Sequence, residues 1–375
     1  SLQVSLENGF TQSPSDFFIS DKETTYKVQA RCGLYVEGTK DHPVMTENGF
    51  VKLGDITTND KLLIQAGQNV WSDVDHVDAN TAKLIGYVIS EGHKVAGKKG
   101  QPWLLKITNN DENVLNFCMN QLQLLGYSPK IVRRQGKSPD ITLSRISKDK
   151  NIEFYFGKFG VRSRNISTPD CILSSGKAVI TSYLRGLFEG DGYVSTKHGT
   201  IHYCSLSRKL INEIQVMLLN LGIFSTVYKK NAVATNGNPG NNTSAYVLDI
   251  CGADSLTLFS TEIGFDSVRK SKKLRRTLQK TMPFATDKLT YAQSQKAITV
   301  IHKIHDELQQ YGISTRMFDI RLDRLVKREY GLSRISLINF VTKVLTWGRV
   351  NLLPTDIQGE LYALKAEHTS NKYYD

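Results

Sequence analysis

The sequence predicts an α+β fold in which a β-rich segment comes first, two related αββαββα units follow, and a small helical region closes the chain. Three observations support this prediction. A nine-residue pattern near residue 84 returns near residue 184, the residues after each copy are also alike, and the first 76 residues are rich in β-branched residues and short turns. We therefore expect five regions, at residues 1–76, 77–172, 173–283, 284–358 and 359–375.

Length, charge and cysteine usage narrow the class of protein. The chain has 375 residues, of which 40% are hydrophobic and 22% charged, so it is long enough for two to four globular domains. A net charge of +12 favours a polyanionic partner over a merely basic soluble protein. The sequence shows neither a long apolar run nor a signal peptide, and five scattered cysteines without a CxxC pair indicate reduced thiols. We expect an intracellular protein without zinc or disulfides.

Each copy of the repeated pattern reads as an apolar helix with a glycine inside it and an acid followed by glycine at its end. The copies are LIGYVISEG at 84–92 and LRGLFEGDG at 184–192. Gly86 and Gly186 lack a Cβ, so the two helices are able to pack closely against each other. One such stretch alone is more often an ordinary buried helix ended by glycine, but two copies in one chain favour a shared site.

The acids of the pattern, Glu91 and Asp191, stand at helix C-termini, where the macrodipole is negative. A carboxylate is unfavourable there unless a cation lies nearby. If the helices pair, the two carboxylates come together in the arrangement needed for hydrolysis of phosphodiesters with a divalent metal. The two stretches thus predict a metal site between the helix ends.

The residues after the pattern repeat as well, because 103–134 can be laid on 200–230 so that Gly126 meets Gly222. Within each unit we expect the motif helix, a strand pair, an amphipathic helix, a second strand pair and a closing helix. The second strand pairs are predicted at 130–134 with 140–146 and at 225–230 with 245–251, and the closing helices end near residues 160 and 264. Two units related by a pseudo-twofold axis would form one curved antiparallel sheet, a saddle with a groove for a DNA duplex.

Both nine-residue stretches resemble the motif of the LAGLIDADG homing endonucleases, and the resemblance extends over residues 84–265. It implies a monomeric enzyme that binds a long site in double-stranded DNA and hydrolyses both strands across the minor groove, leaving short 3′ overhangs. It also implies that Glu91 and Asp191 bind Mg²⁺, for which Mn²⁺ substitutes, with the backbone carbonyls of Ser90 and Gly190. A basic residue usually assists near each metal, and the candidates here are Arg145, Lys229 and Lys230.

Basic residues gather in the strands, loops and helix that flank this site. Those in the second strand pairs are expected on the groove face, and a run at 268–280 holds seven basic residues and no acid. A charge run is usually a solvated helix face, but its position directly after the second unit favours contact with DNA. The predicted DNA-binding residues are Lys94, Lys98, Lys99, Arg133, Arg134, Lys197, Lys229, Lys230, Lys272, Lys273, Arg275 and Arg276.

Residues 24–64 resemble the Hint fold of inteins and hedgehog autoprocessing domains. VSLENGF at 4–10 and VMTENGF at 44–50 predict two hairpins, each with an Asn-Gly turn. Thr39 and His42 match the family's Thr-x-x-His pattern, which implies that they polarise the amide at the N-terminal splice junction, and Ser1 is the candidate nucleophile.

The end of the chain departs from the intein pattern. Residues 359–375 resemble the start of the returning Hint strands, without the His-Asn that an intein needs for its last step. We expect an incomplete intein, a split half that needs a separate Hint fragment, or a degenerate Hint domain, and no splicing by this chain alone.

Residues 284–358 read as helical, and 333–345 match either the recognition helix of a helix-turn-helix or a plain spacer. Three functions remain open. The first is a site-specific DNA endonuclease derived from an intein. The second is a splicing element with an inactive endonuclease, and the third is a DNA-binding regulator on the same fold without metal chemistry.

Overall fold

The computed structural model describes most of the chain, in twelve segments. These are 4–5, 11–12, 23–67, 71–95, 104–144, 154–156, 163–233, 242–280, 291–312, 315, 334–350 and 353–369. The chain divides into two compact units. The first comprises Ser1–Glu23, Lys27–Glu37 and Ala66–Thr281, and the second comprises Thr24–Tyr26, Gly38–Gln65 and Met282–Asp375. Among the described residues, no helix combines the length and the apolar character needed to cross a membrane.

The first unit contains two repeats with the predicted order of elements. The first repeat consists of α1 (Ala79–Glu91), β7 (Gly92–Val95), β8 (Leu104–Thr108), α2 (Glu112–Leu124), β9 (Lys130–Arg134) and β10 (Lys137–Ser144). After α3 (Asp170–Leu173), the second repeat consists of α4 (Lys177–Asp191), β11 (Tyr193–Ser195), β12 (Thr200–Ser205), α5 (Arg208–Asn220), β13 (Ser225–Val233), β14 (Asn242–Cys251) and α6 (Ala253–Leu258). The predicted mixture of helices and antiparallel strands is confirmed.

The strands of the two repeats form two sheets rather than the single curved sheet that the sequence suggested. The orders are β7-β8-β10-β9 and β11-β12-β14-β13, both antiparallel, so the two repeats have the same topology. The pairing registers are equivalent too, because Thr142 lies opposite Lys106 in the first sheet and Asp249 lies opposite His202 in the second. Each repeat therefore completes its own sheet, and the repeats meet through their helices.

Helices α1 and α4 are the centre of the first unit. Their inward residues are fully buried, and with the inner faces of both sheets they form one apolar core. The buried residues of α2 and α5 recur at spacings of three and four, as the sequence predicted, and cover the same side of each sheet. The closing helix of the second repeat continues through a π-helical turn at Phe259–Ile263 and ends at Gly264, whose φ is 64°. The predicted end near residue 160 lies outside the described residues.

The N-terminal strands form three separate hairpins. These are β1 (Val4–Ser5) with β2 (Thr11–Gln12), β3 (Tyr26–Gln29) with β4 (Tyr35–Gly38), and β5 (Pro43–Thr46) with β6 (Gly49–Lys52). In the third, Thr46 pairs with Gly49, so the two loop residues are Glu47 and Asn48, and Gly49 with φ 97° follows the turn. The hairpin predicted from VMTENGF is therefore present, but its two-residue loop is not the predicted Asn-Gly pair, because Gly49 already pairs with Thr46. The turn within VSLENGF lies outside the described residues.

The second unit contains three described helices, α8 (Tyr291–Gln310), α9 (Arg334–Val350) and α10 (Thr355–Thr369). Apolar residues of all three helices form a core of their own, with Ile301, Ile304, Leu337, Val341, Ile357 and Leu361 completely buried. An ion pair at 2.5 Å between Lys303 and Glu360 joins α8 to α10 on the surface. These helices lie where the sequence predicted helix up to residue 358, but the expected resemblance of 359–375 to returning Hint strands is wrong over 359–369. Those residues continue helix α10, because Leu361 and Leu364 pack into this core. A separate helical domain and a role of α9 in DNA recognition stay predictions.

Candidate metal and nucleic-acid site

Two glycines set the distance between α1 and α4. A Cβ on Gly186 would collide with the carbonyl oxygen of Lys83 and lie 3.0 Å from the amide nitrogen of Tyr87. A Cβ on Gly86 would collide in the same way with the carbonyl oxygen of Tyr183. Backbone therefore meets backbone at this crossing, which only glycine allows at both positions. The close approach expected from the repeated pattern is present.

The same close packing continues to the helix ends. A Cβ on Gly190 would lie 2.6 Å from the Cβ of Ser90 and 3.0 Å from the Cγ of Glu91. The last turns of α1 and α4 are thus in contact, and each ends with its acid, Glu91 or Asp191. The structure brings together all four residues that the sequence predicted around the metal.

The protein environment disfavours the charges of both acids. Burial raises the pKa of Glu91, and Glu189 raises it further, while Lys270 opposes the shift. Burial first, and then the negative charge of Glu91, raises the pKa of Asp191 to about 7. Desolvation of a carboxylate beside a second one stores unfavourable energy that a cation relieves. Lys270 supplies only part of the positive charge that this pair of acids requires.

Lys270 is a site residue that the sequence did not single out. It is 7% exposed, and its ammonium group donates to the carbonyl oxygens of Phe188 and Gly190 at 3.2 and 3.1 Å, and also to that of Glu189. These carbonyls lie at the C-terminus of α4, where a cation is favoured, and that of Phe188 also accepts from the amide of Gly192 at 3.0 Å. Desolvation lowers the pKa of Lys270, and the charge of Glu189 acts in the opposite direction.

Glu189 and Lys270 form reciprocal hydrogen bonds that join α4 to the segment from residue 266 onward. The buried carboxylate of Glu189 accepts hydrogen bonds from the backbone amides of Asp266 and Ser267, at 2.8 and 3.1 Å, directly before helix α7 (Val268–Lys280). In return, α7 provides Lys270 for the carbonyls of α4. The signal for this in the sequence is helical spacing, since Lys270 shares a face with buried Leu274 and Thr277.

Asp266 fixes the same segment to α1. Its carboxylate accepts a hydrogen bond from the hydroxyl of Tyr87 at 2.7 Å and forms an ion pair with Lys83 at 3.1 Å. The start of α7 is therefore bonded to both motif helices. As a result, the geometry at the acids and the placement of the basic helix depend on each other.

The donors at this site fit a hard divalent cation. The two carboxylates and nearby backbone carbonyls are all oxygen ligands, and Mg²⁺ is commonly held by one or two carboxylates together with water and substrate phosphate. In the described part of the chain, no three His, Cys, Asp or Glu side chains cluster around a possible metal. The carbonyl oxygen of Gly190 already accepts a hydrogen bond from Lys270, so one of its two lone pairs remains to bind a metal. A cleft of about 430 Å³ opens beside Glu91 and Lys270, wide enough to admit a phosphate group.

Comparison with known proteins agrees with this geometry. The family model described as a LAGLIDADG-like domain matches residues 78–160 and 178–264, which are the two repeats. These residues form a LAGLIDADG-like domain with two repeats. The two matched stretches begin at residues 78 and 178, where the motif helices begin, so the duplication inferred from the sequence is confirmed.

Curated relatives share part of their length with this chain. A DNA gyrase subunit of Mycobacterium gordonae is 27% identical over 290 residues, which is 73% of this chain and 50% of that protein. A glutamine–fructose-6-phosphate aminotransferase and a probable translation initiation factor IF-2, both of Methanocaldococcus jannaschii, are 28% and 29% identical over 204 and 186 residues. The chain spans 17% and 15% of those two proteins.

Solved structures show only a distant likeness. I-DmoI in complex with DNA and Mn matches 50% of this chain and 97% of that chain, with 19% identity and a TM-score of 0.36. Full-length DUF199/WhiA from Thermatoga maritima matches 80% of this chain and 94% of that chain, with 14% identity and a TM-score of 0.35.

The predicted basic pairs of the LAGLIDADG-like repeats do not lie on one face. Neighbouring strand residues point to opposite sides of a sheet, so Arg133 and Arg134 diverge. Arg133 donates to both carboxylate oxygens of Glu112 on α2 at 2.7 and 2.8 Å, on the helix side, whereas Arg134 pairs with Asp140 on the outer face. The expectation that both members of each pair face DNA is therefore wrong, because strands alternate with a period of two.

The same alternation separates Lys229 from Lys230 on β13. Lys229 lies opposite Tyr246 in the pairing register and forms no hydrogen bond or ion pair with Glu91 or Asp191 among the described residues. Lys230 lies on the other side of the strand. The structure thus places Lys270, rather than Lys229, beside the acids.

The remaining predicted site residues are exposed, lie over an aromatic ring, or fall outside the described residues. Lys197 is exposed in the turn between β11 and β12, and the exposed side of α7 carries Lys272, Arg275 and Arg276. Lys273 lies over the ring of Tyr193, with 5.3 Å from its ammonium to the ring centroid. Lys98, Lys99, Arg145 and Ser1 lie outside the described residues, as does the side chain of Lys94.

Thr39 and His42, the residues of the Hint-like pattern, lie in one tight turn between β4 and β5. The amide of His42 donates to the carbonyl oxygen of Thr39 at 3.2 Å, and the amide of Leu53 donates to the carbonyl oxygen of His42 at 2.8 Å. The turn holds both residues close in space. Their part in splicing stays a prediction.

Proposed function

We propose that this chain is a site-specific endonuclease that hydrolyses double-stranded DNA with a divalent metal. The observation that supports this proposal best is the contact between the ends of α1 and α4, which joins Glu91 and Asp191 in one doubly acidic site. The resident cation we propose is Mg²⁺, which supplies charge stabilisation and an activated water when bound. Glu91 and Asp191 hold this cation, and the carbonyls of Ser90 and Gly190 complete its protein ligands.

Lys270 has two roles in this proposal. Its ammonium group neutralises part of the charge of the two acids, and it holds the carbonyls at the end of α4 in place. Because Lys270 reaches Asp191 through the backbone of the preceding residue, we treat it as a positioning residue. The basic side chains of α7 and of the outer sheet faces bind the phosphate backbone on either side of the acids.

We further propose that the endonuclease belongs to an intervening, intein-type element. The supporting observation is that a gyrase subunit, an aminotransferase and an initiation factor, which differ in function by their names, share this segment over only a fraction of their lengths. An element inserted into unrelated host proteins gives this pattern. The turn that holds Thr39 and His42 fits such an origin, and a separate Hint fragment is the partner that splicing would need.

The experiment for the proposed function uses the gene that carries this coding sequence. A DNA fragment with that gene's coding sequence joined across the deleted segment is incubated with the protein and Mg²⁺. We expect one double-strand break at the junction, with short 3′ overhangs on sequencing of the ends, and no break in the fragment that retains the insert. Lack of cleavage in Mg²⁺ and in Mn²⁺ by folded protein would contradict the proposal.

A further inference from the structure

The two LAGLIDADG-like repeats place different chemistry at equivalent positions of their sheets. Because both sheets have the same strand order and register, Lys106 of β8 corresponds to His202 of β12, and Thr142 of β10 corresponds to Asp249 of β14. Ile107 and Tyr203, the next residues of β8 and β12, are buried in the core. The corresponding pairs therefore lie on the outer faces, away from α2 and α5.

The outer-face residues that lie side by side on neighbouring strands form a row in each sheet. In the second repeat, this row contains Asp249, a hydrogen-bond acceptor whose position is fixed by its neighbours. His202 donates from Nδ1 to the carboxylate of Asp249 at 2.5 Å, and the hydroxyl of Thr200 lies 2.7 Å from Nε2 of His202. The hydroxyl of Tyr228 also bonds to Asp249, and the ring of Tyr193 stacks on His202 with an interplanar angle of 20°. The side chain of Asp249 remains 18% exposed, so part of its acceptor capacity faces outward.

The first repeat holds donors in the same row. Lys106 and Lys130 lie on either side of Thr142, and neither lysine forms an ion pair with an acid in the described part of the chain. Asp140, the acid nearest along β10, is 8% exposed and already engaged by Thr108 and Arg134. The row of the first repeat is thus a cationic donor surface, whereas the row of the second repeat presents the carboxylate of Asp249 as an acceptor.

Base edges in the major groove distinguish these two surfaces. Lysine donates to O6 and N7 of guanine, whereas aspartate accepts from the N4 amino group of cytosine. We propose, resting on the proposed endonuclease function, that Lys106 selects guanine in one half of the recognition site and Asp249 selects cytosine at the pseudo-symmetric position in the other half. The recognised sequence therefore departs from twofold symmetry at this pair of positions, and the direction in which the enzyme binds its site is set there.

A binding selection tests this inference without knowledge of the target. The full chain is incubated with a randomised DNA duplex pool in EDTA, and bound duplexes are separated and sequenced. We expect the wild type to enrich a site with guanine and cytosine at the two related positions. Asp249→Asn should lower the preference for cytosine about tenfold and shift it toward adenine, since asparagine pairs with adenine in this groove. All other positions should keep their preferences.

A graft of outer-face residues into the first repeat provides a second test. This test does not depend on whether Asp249→Asn folds. The triple variant Lys106→His, Lys130→Thr and Thr142→Asp gives the first repeat the three corresponding residues of the second, because Thr226 lies opposite Asp249 where Lys130 lies opposite Thr142. Its guanine preference should therefore change to cytosine. Unchanged preferences in this folded graft would overturn the inference while leaving the endonuclease proposal intact. If the folded wild type enriches no sequence at all, both the inference and the proposed function fail.

Discussion

At the scale of single residues, Lys270 contributes to the structure and the charge of the site, although the sequence shows it only as one member of a run of basic residues. Replacing it with methionine removes one donor from each of three carbonyls at the end of α4, of which that of Phe188 keeps the amide of Gly192. A buried polar group that loses its partner costs about 1–3 kcal/mol. We expect Lys270→Met to lower DNA cleavage at least about tenfold, and a high Mg²⁺ concentration to restore part of the rate, because the acids lose a nearby positive charge.

Lys272→Met is the matched control for Lys270, since Lys272 lies exposed on the same helix. It should weaken DNA binding slightly and leave the cleavage rate of bound DNA unchanged. Cleavage assays at two Mg²⁺ concentrations, with a thermal melt of each variant, separate the outcomes. Equal loss of cleavage in both variants would mean that Lys270 acts only as one more phosphate contact.

Asp191 gives a prediction for stability that needs no bound metal. Its pKa in the folded protein is about 7, above the value of about 3.9 in an unfolded chain. A raised pKa means that ionisation opposes folding, so the stability present below pH 4 is lost as pH rises toward 7. We expect the metal-free wild type to melt at a lower temperature than Asp191→Asn at pH 8, and the difference to vanish near pH 4.

Thermal melts in EDTA across this pH range provide the measurement. Addition of Mg²⁺ at pH 8 should raise the melting temperature of the wild type and leave that of Asp191→Asn nearly unchanged, because ligands that bind the folded state stabilise it. A wild type that is the more stable of the two at pH 8 without metal would contradict the unfavourable charge of Asp191 beside Glu91.

At the scale of elements, the crossing of α1 and α4 leaves no room for a side chain at its two glycines. Gly186→Ala places a methyl group against the carbonyl oxygen of Lys83, which is backbone and cannot turn aside. Overpacking of this kind costs about 1–3 kcal/mol. We expect a lower midpoint of unfolding in denaturant and a loss of cleavage, since the acids at the helix ends move apart.

The control for Gly186 lies in α10, where a Cβ on Gly359 would meet no atom within 4 Å. Gly359→Ala should stabilise the protein slightly, because alanine favours the helix by up to about 1 kcal/mol over glycine. If both substitutions had the same effect on unfolding, the close helix crossing would not be a determinant of stability.

Strand alternation yields a prediction about salt dependence. Lys230 lies on the outer face of the second sheet, whereas Lys229 points to the opposite side of β13. Lys230→Gln should reduce the slope of log affinity against log salt by about 1 for each phosphate interaction that it removes, and Lys229→Gln should change it less. DNA binding titrations at four salt concentrations measure both slopes, and a larger effect of Lys229→Gln would reverse the assignment of faces.

At the scale of the whole molecule, local patterns in the sequence predicted the helices and strands better than the pairing and contacts between them. The motif helices, the order of strands and helices and the meeting of Glu91 with Asp191 followed from spacing and duplication. The sequence did not show that each repeat closes its own sheet, because pairing partners are chosen by tertiary contact. It also missed Lys270, whose spacing with Leu274 and Thr277 indicates a buried face but not which carbonyls that face meets.

The most direct test of the central claim separates DNA binding from DNA hydrolysis at the paired acids. Asp191→Asn and Glu91→Gln remove one carboxylate charge each and keep the shape of the side chain. On the DNA of the uninterrupted gene in Mg²⁺, we expect each variant to abolish double-strand cleavage while its affinity stays within about tenfold of the wild type, because lysine and arginine contacts to phosphate supply most of the binding. Undiminished cleavage by either folded variant would contradict the assignment of these two acids as the metal site.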